Sequence, residues 1–101
     1  MLIAPRRYLE FIVAHHKDAL KRIKQNEKRR MRNRSYRTQM RNHVKAVRDA
    51  VEAGDVEQAQ AKLRAATAII HRVSSRGIIH SNNAARRISR LNAAVKKLAT
   101  A

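Results

Sequence analysis

The sequence predicts an all-α protein, an antiparallel three-helix bundle with a long basic N-terminal helix projecting from it. Three observations carry this. Two glycines and one proline in 101 residues leave little material for hairpins or glycine-rich phosphate loops. Apolar residues recur at alternating spacings of three and four, the period of a buried helical face. Gly54 and Gly77 stand between these stretches, where a left-handed residue ends a helix.

The length allows one core. With two tyrosines, one phenylalanine and no tryptophan, that core is aliphatic and thin. Residues 1–14 carry Arg6 and Arg7 ahead of an apolar stretch from Tyr8 to Ala14, interrupted by Glu10 and lacking a small-residue cleavage site. A signal peptide is not expected. The stretch also falls well short of the roughly 20 apolar residues that cross a bilayer.

From Lys17 to Arg48 the chain reads as one long helix, with Asp18 as its expected N-cap and Gly54 at its C-terminal end. Its two halves differ. Met40, Val44, Val47 and Val51 form a stripe that can pack on a core, whereas Met31 is the single large apolar residue between Lys24 and Tyr36. The basic positions of the first half fall on nearly every side of the helix. Like charges at i and i+4 (Lys24, Lys28 and Arg32; Arg30 and Arg34; Arg37, Arg41 and Lys45) oppose helix formation in water, so this rod is expected to order on binding a polyanion.

A second helix is expected from Asp55, where Asp55 and Gln58 have capping-box spacing. Its core face is Val56, Ala59, Leu63, Ala66, Ile70 and Val73, and Gly77 stops it. A third helix follows from about Ser81, with Ala84, Ile88, Leu91, Val95 and Leu98 inward and Lys96 and Lys97 at its dipole's negative end. Ile78 and Ile79 are placed to close one end of the core.

Charge bounds the function. There are 24 Lys and Arg against 7 Asp and Glu, a formal net of +17, which calls for an acidic partner. No acid follows Glu57, so no acidic catalytic cluster can form in the C-terminal part. Without cysteine there is no disulfide framework and no thiolate metal site. The five histidines, His15, His16, His43, His71 and His80, form no i, i+4 pair, and no metal or cofactor is expected. Ser74 and Ser75 near His71 lack an orienting acid and a strained glycine turn, so no enzyme activity is expected.

The thirteen basic residues between Lys17 and Arg48 meet only Asp18 and Glu27. A merely solvated helix alternates its signs; this one does not, which points to nucleic acid. Tyr36 is placed either to stack on a base or to pack at the bundle edge. Arg86, Arg87 and Arg90, away from the third helix's apolar stripe, are expected to form a second phosphate-contacting face, with simple solubilising charge as the alternative. His80, Asn82 and Asn83 offer donors at that helix's N-terminus, with capping by Ser81 or Asn82 as the alternative use.

Three motifs in order, HKDALKRIKQNEKRRMRNRSYRTQMR from His15, VEAGD from Val51 and RGIIHSNNAARRISRL from Arg76, resemble bacterial small-subunit ribosomal protein number twenty. The resemblance covers about residues 15 to 99 and implies a three-helix bundle bound to 16S ribosomal RNA in the small subunit. It further implies a cytoplasmic, ribosome-bound protein that binds early to stabilise RNA folding, with no small-molecule substrate and no membrane partner, monomeric when free. Carried over by position, the RNA-facing set is Lys17, Lys21, Arg22, Lys24, Lys28, Arg29, Arg30, Arg32, Asn33, Arg34, Arg37 and Arg41, then His80, Asn82, Arg86, Arg87 and Arg90.

Two features depart from the family pattern. Its members start near His15, which makes residues 15–101 the ribosomal domain. Residues 1–14 are then either an added N-terminal arm or the product of a mis-assigned start, with Val13 as the native first residue. Ser81, Asn83 and Ile88 stand where the family often has lysine, and Ile88 fits the core stripe instead. The competing readings are a DNA-compacting basic protein and a membrane-active helix. The first lacks helix-turn-helix spacing, and the second lacks a wide apolar face between Lys24 and Tyr36.

Overall fold

The computed structural model describes the backbone of residues 6–101 and the side chains of residues 15–101. Three helices follow in order: α1 (Arg6–Glu52), α2 (Val56–Ser75) and α3 (Ser81–Thr100). The chain divides into two compact units after Arg32, the second running Asn33–Ala101.

In the second unit the C-terminal part of α1 packs with α2 and α3. The buried core is Met40, Val44 and Val47 of α1, Ala59, Ala66, Ile69, Ile70 and Val73 of α2, and Ala84, Leu91 and Val95 of α3. Tyr36, Val51, Leu63, Ile78, Ile79, Ile88 and Leu98 pack around it half-buried. The three stripes read from the sequence are therefore the three inward faces, apart from Val56 at the start of α2, which lies outside the core cluster. Alanine at Ala59, Ala66 and Ala84 lets the helices approach closely, leaving Ile70, Val47 and Val73 as the largest fully buried side chains.

Both turns are Schellman motifs. At the end of α1 the Gly54 N–H donates to Val51 O (3.1 Å) and the Asp55 N–H to Ala50 O (3.2 Å). At the end of α2 the Gly77 N–H donates to Ser74 O (2.9 Å) and the Ile78 N–H to Val73 O (3.2 Å). Each glycine sits at φ +74°. The Schellman bond also brings Ile78 beside Val73, so the turn carries its own apolar plug.

Three expectations need correction. The first helix begins at Arg6, so Asp18 lies in its interior and caps nothing; with no glycine or proline between Arg6 and Glu52, no local signal breaks the helix there. Its end at Glu52 agrees with Gly54 as the expected stop. Only half of the capping box forms: Asp55 accepts from the Gln58 N–H at 3.1 Å, while the Asp55 N–H is already committed to Ala50. The cap of α3 is His80, whose Nδ1 accepts from the Asn82 N–H at 3.1 Å, and neither Ser81 nor Asn82 caps it.

Candidate nucleic-acid interface

Within the first unit, Lys17, Lys21, Arg22, Lys24, Lys28, Arg29, Arg30 and Arg32 are all exposed. A helix turns about 100° per residue, so Lys17, Lys21, Lys24, Lys28 and Arg32 line up along one side. The remaining three, Arg22, Arg29 and Arg30, project from other sides. The charge thus surrounds the helix, as the sequence indicates, but is densest on one stripe. Among the described residues of this unit the large apolar side chains are exposed, Leu20, Ile23 and Met31 by 47%, 54% and 72%.

In the second unit Arg34, Arg37 and Arg41 are exposed and Asn33 is half-buried. The Arg37 Nη2 donates to Ile78 O at 3.3 Å, tying α1 to the turn between α2 and α3. The Arg76 guanidinium lies 4.7 Å from the centroid of the Tyr36 ring, a cation–π pairing across the same junction. Tyr36 therefore packs at the bundle edge, with one ring face already covered by a cation.

On α3, His80, Asn82, Arg86 and Arg90 are exposed, whereas Arg87 is half-buried and its Nε–H donates to Asn83 Oδ1 at 2.7 Å. His80 spends Nδ1 on the helix cap, which leaves Nε2 as its remaining hydrogen-bonding atom. Asn82 contributes its backbone N–H to that cap.

The fold gathers several of these residues. Arg37, Arg41, His80 and Arg87 line one hollow between α1 and α3, with Met40 and Ile79 among its apolar residues. Arg86, Arg87 and Arg90 line the next, a cavity of about 270 Å³ that also takes in Val44, Asn83, Leu91 and Arg48. Arg48 is absent from the RNA-facing set derived from the sequence. Its signal was present, since Arg37, Arg41, Val44 and Arg48 follow at spacings of 4, 3 and 4 and so share a face. Knowing that α3 faces this stripe requires the fold.

Among the described residues no helix is long and apolar enough to cross a membrane. No group of three or more His, Asp or Glu among them could hold a metal ion. The surface offers guanidinium and ammonium groups with amide and imidazole donors, a chemistry suited to phosphate and ribose oxygens.

A family model described as "Ribosomal protein S20" matches residues 14–96. The chain belongs to the ribosomal protein S20 family. It is 57% identical over 89 residues to "Small ribosomal subunit protein bS20" of Magnetococcus marinus, a match covering 88% of this chain and 97% of the relative. It is 52% identical over 89 residues to the protein of the same name from Helicobacter acinonychis, covering 88% and 100%. The match to that of Oleidesulfovibrio alaskensis is 54% over 83 residues, covering 82% and 95%. Every residue of the candidate interface, from Lys17 to Arg90, and Arg48 with them, lies inside the stretch matched by the S20 model.

Proposed function

We propose that the chain is a structural component of the small ribosomal subunit that binds 16S ribosomal RNA directly and stabilises its folding during assembly. Membership of the S20 family over residues 14–96 carries the reading. The physical chemistry supports it. A helix with basic residues on several sides and no apolar residue buried among Lys21 to Arg32 is suited to being surrounded by phosphate, where each neutralised charge releases counterions. The bundle contributes a rigid core that fixes the position of the arginines on α1 and α3.

We assign phosphate contact to Lys17, Lys21, Arg22, Lys24, Lys28, Arg29, Arg30, Arg32, Arg34, Arg37 and Arg41, and to Arg86, Arg87 and Arg90; Asn33, Asn82 and His80 supply neutral donors to phosphate or ribose. The role is that of a scaffold, exercised on the ribosome in the cytoplasm. Reconstitution tests it: small subunits assembled from 16S RNA and a protein set lacking S20 should take up this chain stoichiometrically and gain RNA protection. A chain that stays in the unbound fraction contradicts the reading.

A further inference from the structure

We infer that the seam between α1 and α3 is a preformed groove for the phosphodiester backbone of an RNA strand, with Arg48 as a ligand alongside Arg87 and Arg90. The inference deepens the proposed RNA-binding role and rests on it.

Four observations converge on the groove. The two hollows of the seam share Asn83 and Arg87, so they adjoin along it. From Arg37 to Arg48 it follows α1 for roughly 16 Å at the usual rise of 1.5 Å per residue, the length of a few successive backbone phosphates. Its walls hold arginines from both helices, and no Asp or Glu occurs on α1 between Arg37 and Arg48 or anywhere on α3. Among the described residues Arg48, Arg86, Arg87 and Arg90 form no ion pair with a carboxylate; Glu52, one turn beyond Arg48, lines an adjoining hollow with Arg48 and Arg90 without pairing to either.

Arg87 is the best organised of them. Its half-buried side chain is tethered through Nε to Asn83, which leaves the two terminal nitrogens, with four N–H groups, for a phosphate. A guanidinium held this way loses less rotamer freedom on binding than a free one. Val44 and Leu91 give the cavity an apolar side. That combination suits the sugar edge of a polynucleotide strand, which has apolar and anionic parts, better than a fully hydrated free anion.

The test is a salt titration of full-length protein against a 16S 5′-domain RNA fragment. It compares the parent with R48Q/R90Q in the groove and with R64Q/R72Q, which removes equal charge from exposed positions on α2. The charge-neutral variant N83A, which frees Arg87, is the third arm, and circular dichroism checks that each variant folds. The log–log salt slope of R48Q/R90Q should fall by about one to two, and that of R64Q/R72Q by less than half as much. N83A should bind roughly two- to tenfold more weakly at fixed salt.

Equal slopes for the two double variants, with N83A binding as the parent does, would overturn the groove while leaving RNA binding intact. Displacement of the fragment by inorganic phosphate from the parent but not from R48Q/R90Q would make it a free-anion site and likewise overturn it. A parent that does not bind the fragment would overturn both this inference and the function it rests on.

Discussion

The guanidinium of Arg76 lies 4.7 Å from the centroid of the Tyr36 ring, so the α2–α3 turn is fastened to α1 by a cation on an aromatic face. At the same junction Arg37, next to Tyr36, donates to Ile78 O at 3.3 Å, two residues on from Arg76, and Ile78 itself closes the Schellman turn on Val73. These contacts hold the start of α3, and with it His80, Asn83 and Arg87, beside the basic face of α1.

Tyr36 accordingly supports the fold. Tyr36→Ala should lower bundle stability by about 1–3 kcal/mol, less than for a fully buried aromatic because the ring is half-buried. Arg76→Gln, which removes only the cation, should cost about 0.5–1 kcal/mol. Chemical denaturation of the variants measures both. A loss of RNA affinity by Tyr36→Ala with unchanged stability would instead assign the ring to a base.

Core depth separates Ile70 from Ile88. Ile70 is 0% exposed, and Ile70→Ala should cost about 2–5 kcal/mol. Ile88 packs half-buried against the same cluster, so Ile88→Ala should cost less than that. Denaturation midpoints of the two variants rank them, and an Ile88 variant as damaging as the Ile70 variant would contradict the packing.

Gly54 and Gly77 disfavour a side chain for reasons of backbone alone. Both stand at φ +74°, and a Cβ at either would meet nothing within 4 Å. Gly77→Ala should therefore cost about 1–2 kcal/mol from the left-handed conformation, with no steric term added. Gly77→Asn should cost less, because asparagine visits this region more readily. Thermal melts of the pair check the order.

His80 caps α3 and also stands in the candidate interface. His80→Ala should destabilise α3 by about 0.5–2 kcal/mol, and His80→Ser should restore most of it, since serine caps the same N–H group. If His80→Ser recovers stability but RNA affinity stays reduced, the imidazole contacts RNA as well.

Much of this was legible before the fold was known. Met40, Val44 and Val47, Ala59, Ala66, Ile70 and Val73, and Ala84, Leu91 and Val95 all lie on the expected stripes and are all buried. Ile69 lies outside the single stripe that the three-four spacing marks on α2. A helix packed by two neighbours buries a wider face, and Ile69 sits at its edge, 7% exposed. The cap at His80 was missed because serine and asparagine follow it directly and outrank histidine as caps. Asp18 misled in the opposite direction, since its capping preference is local and the helix runs through it.

The interface was legible as charge but not as shape. Thirteen bases between Lys17 and Arg48 announce a polyanion without showing which of them share a surface. The facing of Arg48 and Arg90 across one cavity depends on α3 lying alongside α1 in the same direction, which no spacing within either helix encodes.

The basic half of α1 has its own consequence. No side chain from Lys21 to Met31 is buried, and like charges recur at i and i+4, so the helix there has little beyond propensity to hold it. Amide exchange of residues 21–32 should be fast in the free protein and slow in the RNA complex. Strong protection without RNA would contradict this.

The central claim, that this basic surface recognises 16S RNA and not polyanions in general, is tested most directly by equilibrium titration. The protein would be titrated with the 16S 5′ domain, a scrambled RNA of equal length and duplex DNA across a range of salt. Selective binding of the 16S fragment that survives moderate salt is the predicted result. Equal affinity for all three, collapsing together with the steep salt dependence of counterion release, would contradict it and leave a general nucleic-acid binder of the DNA-compacting kind.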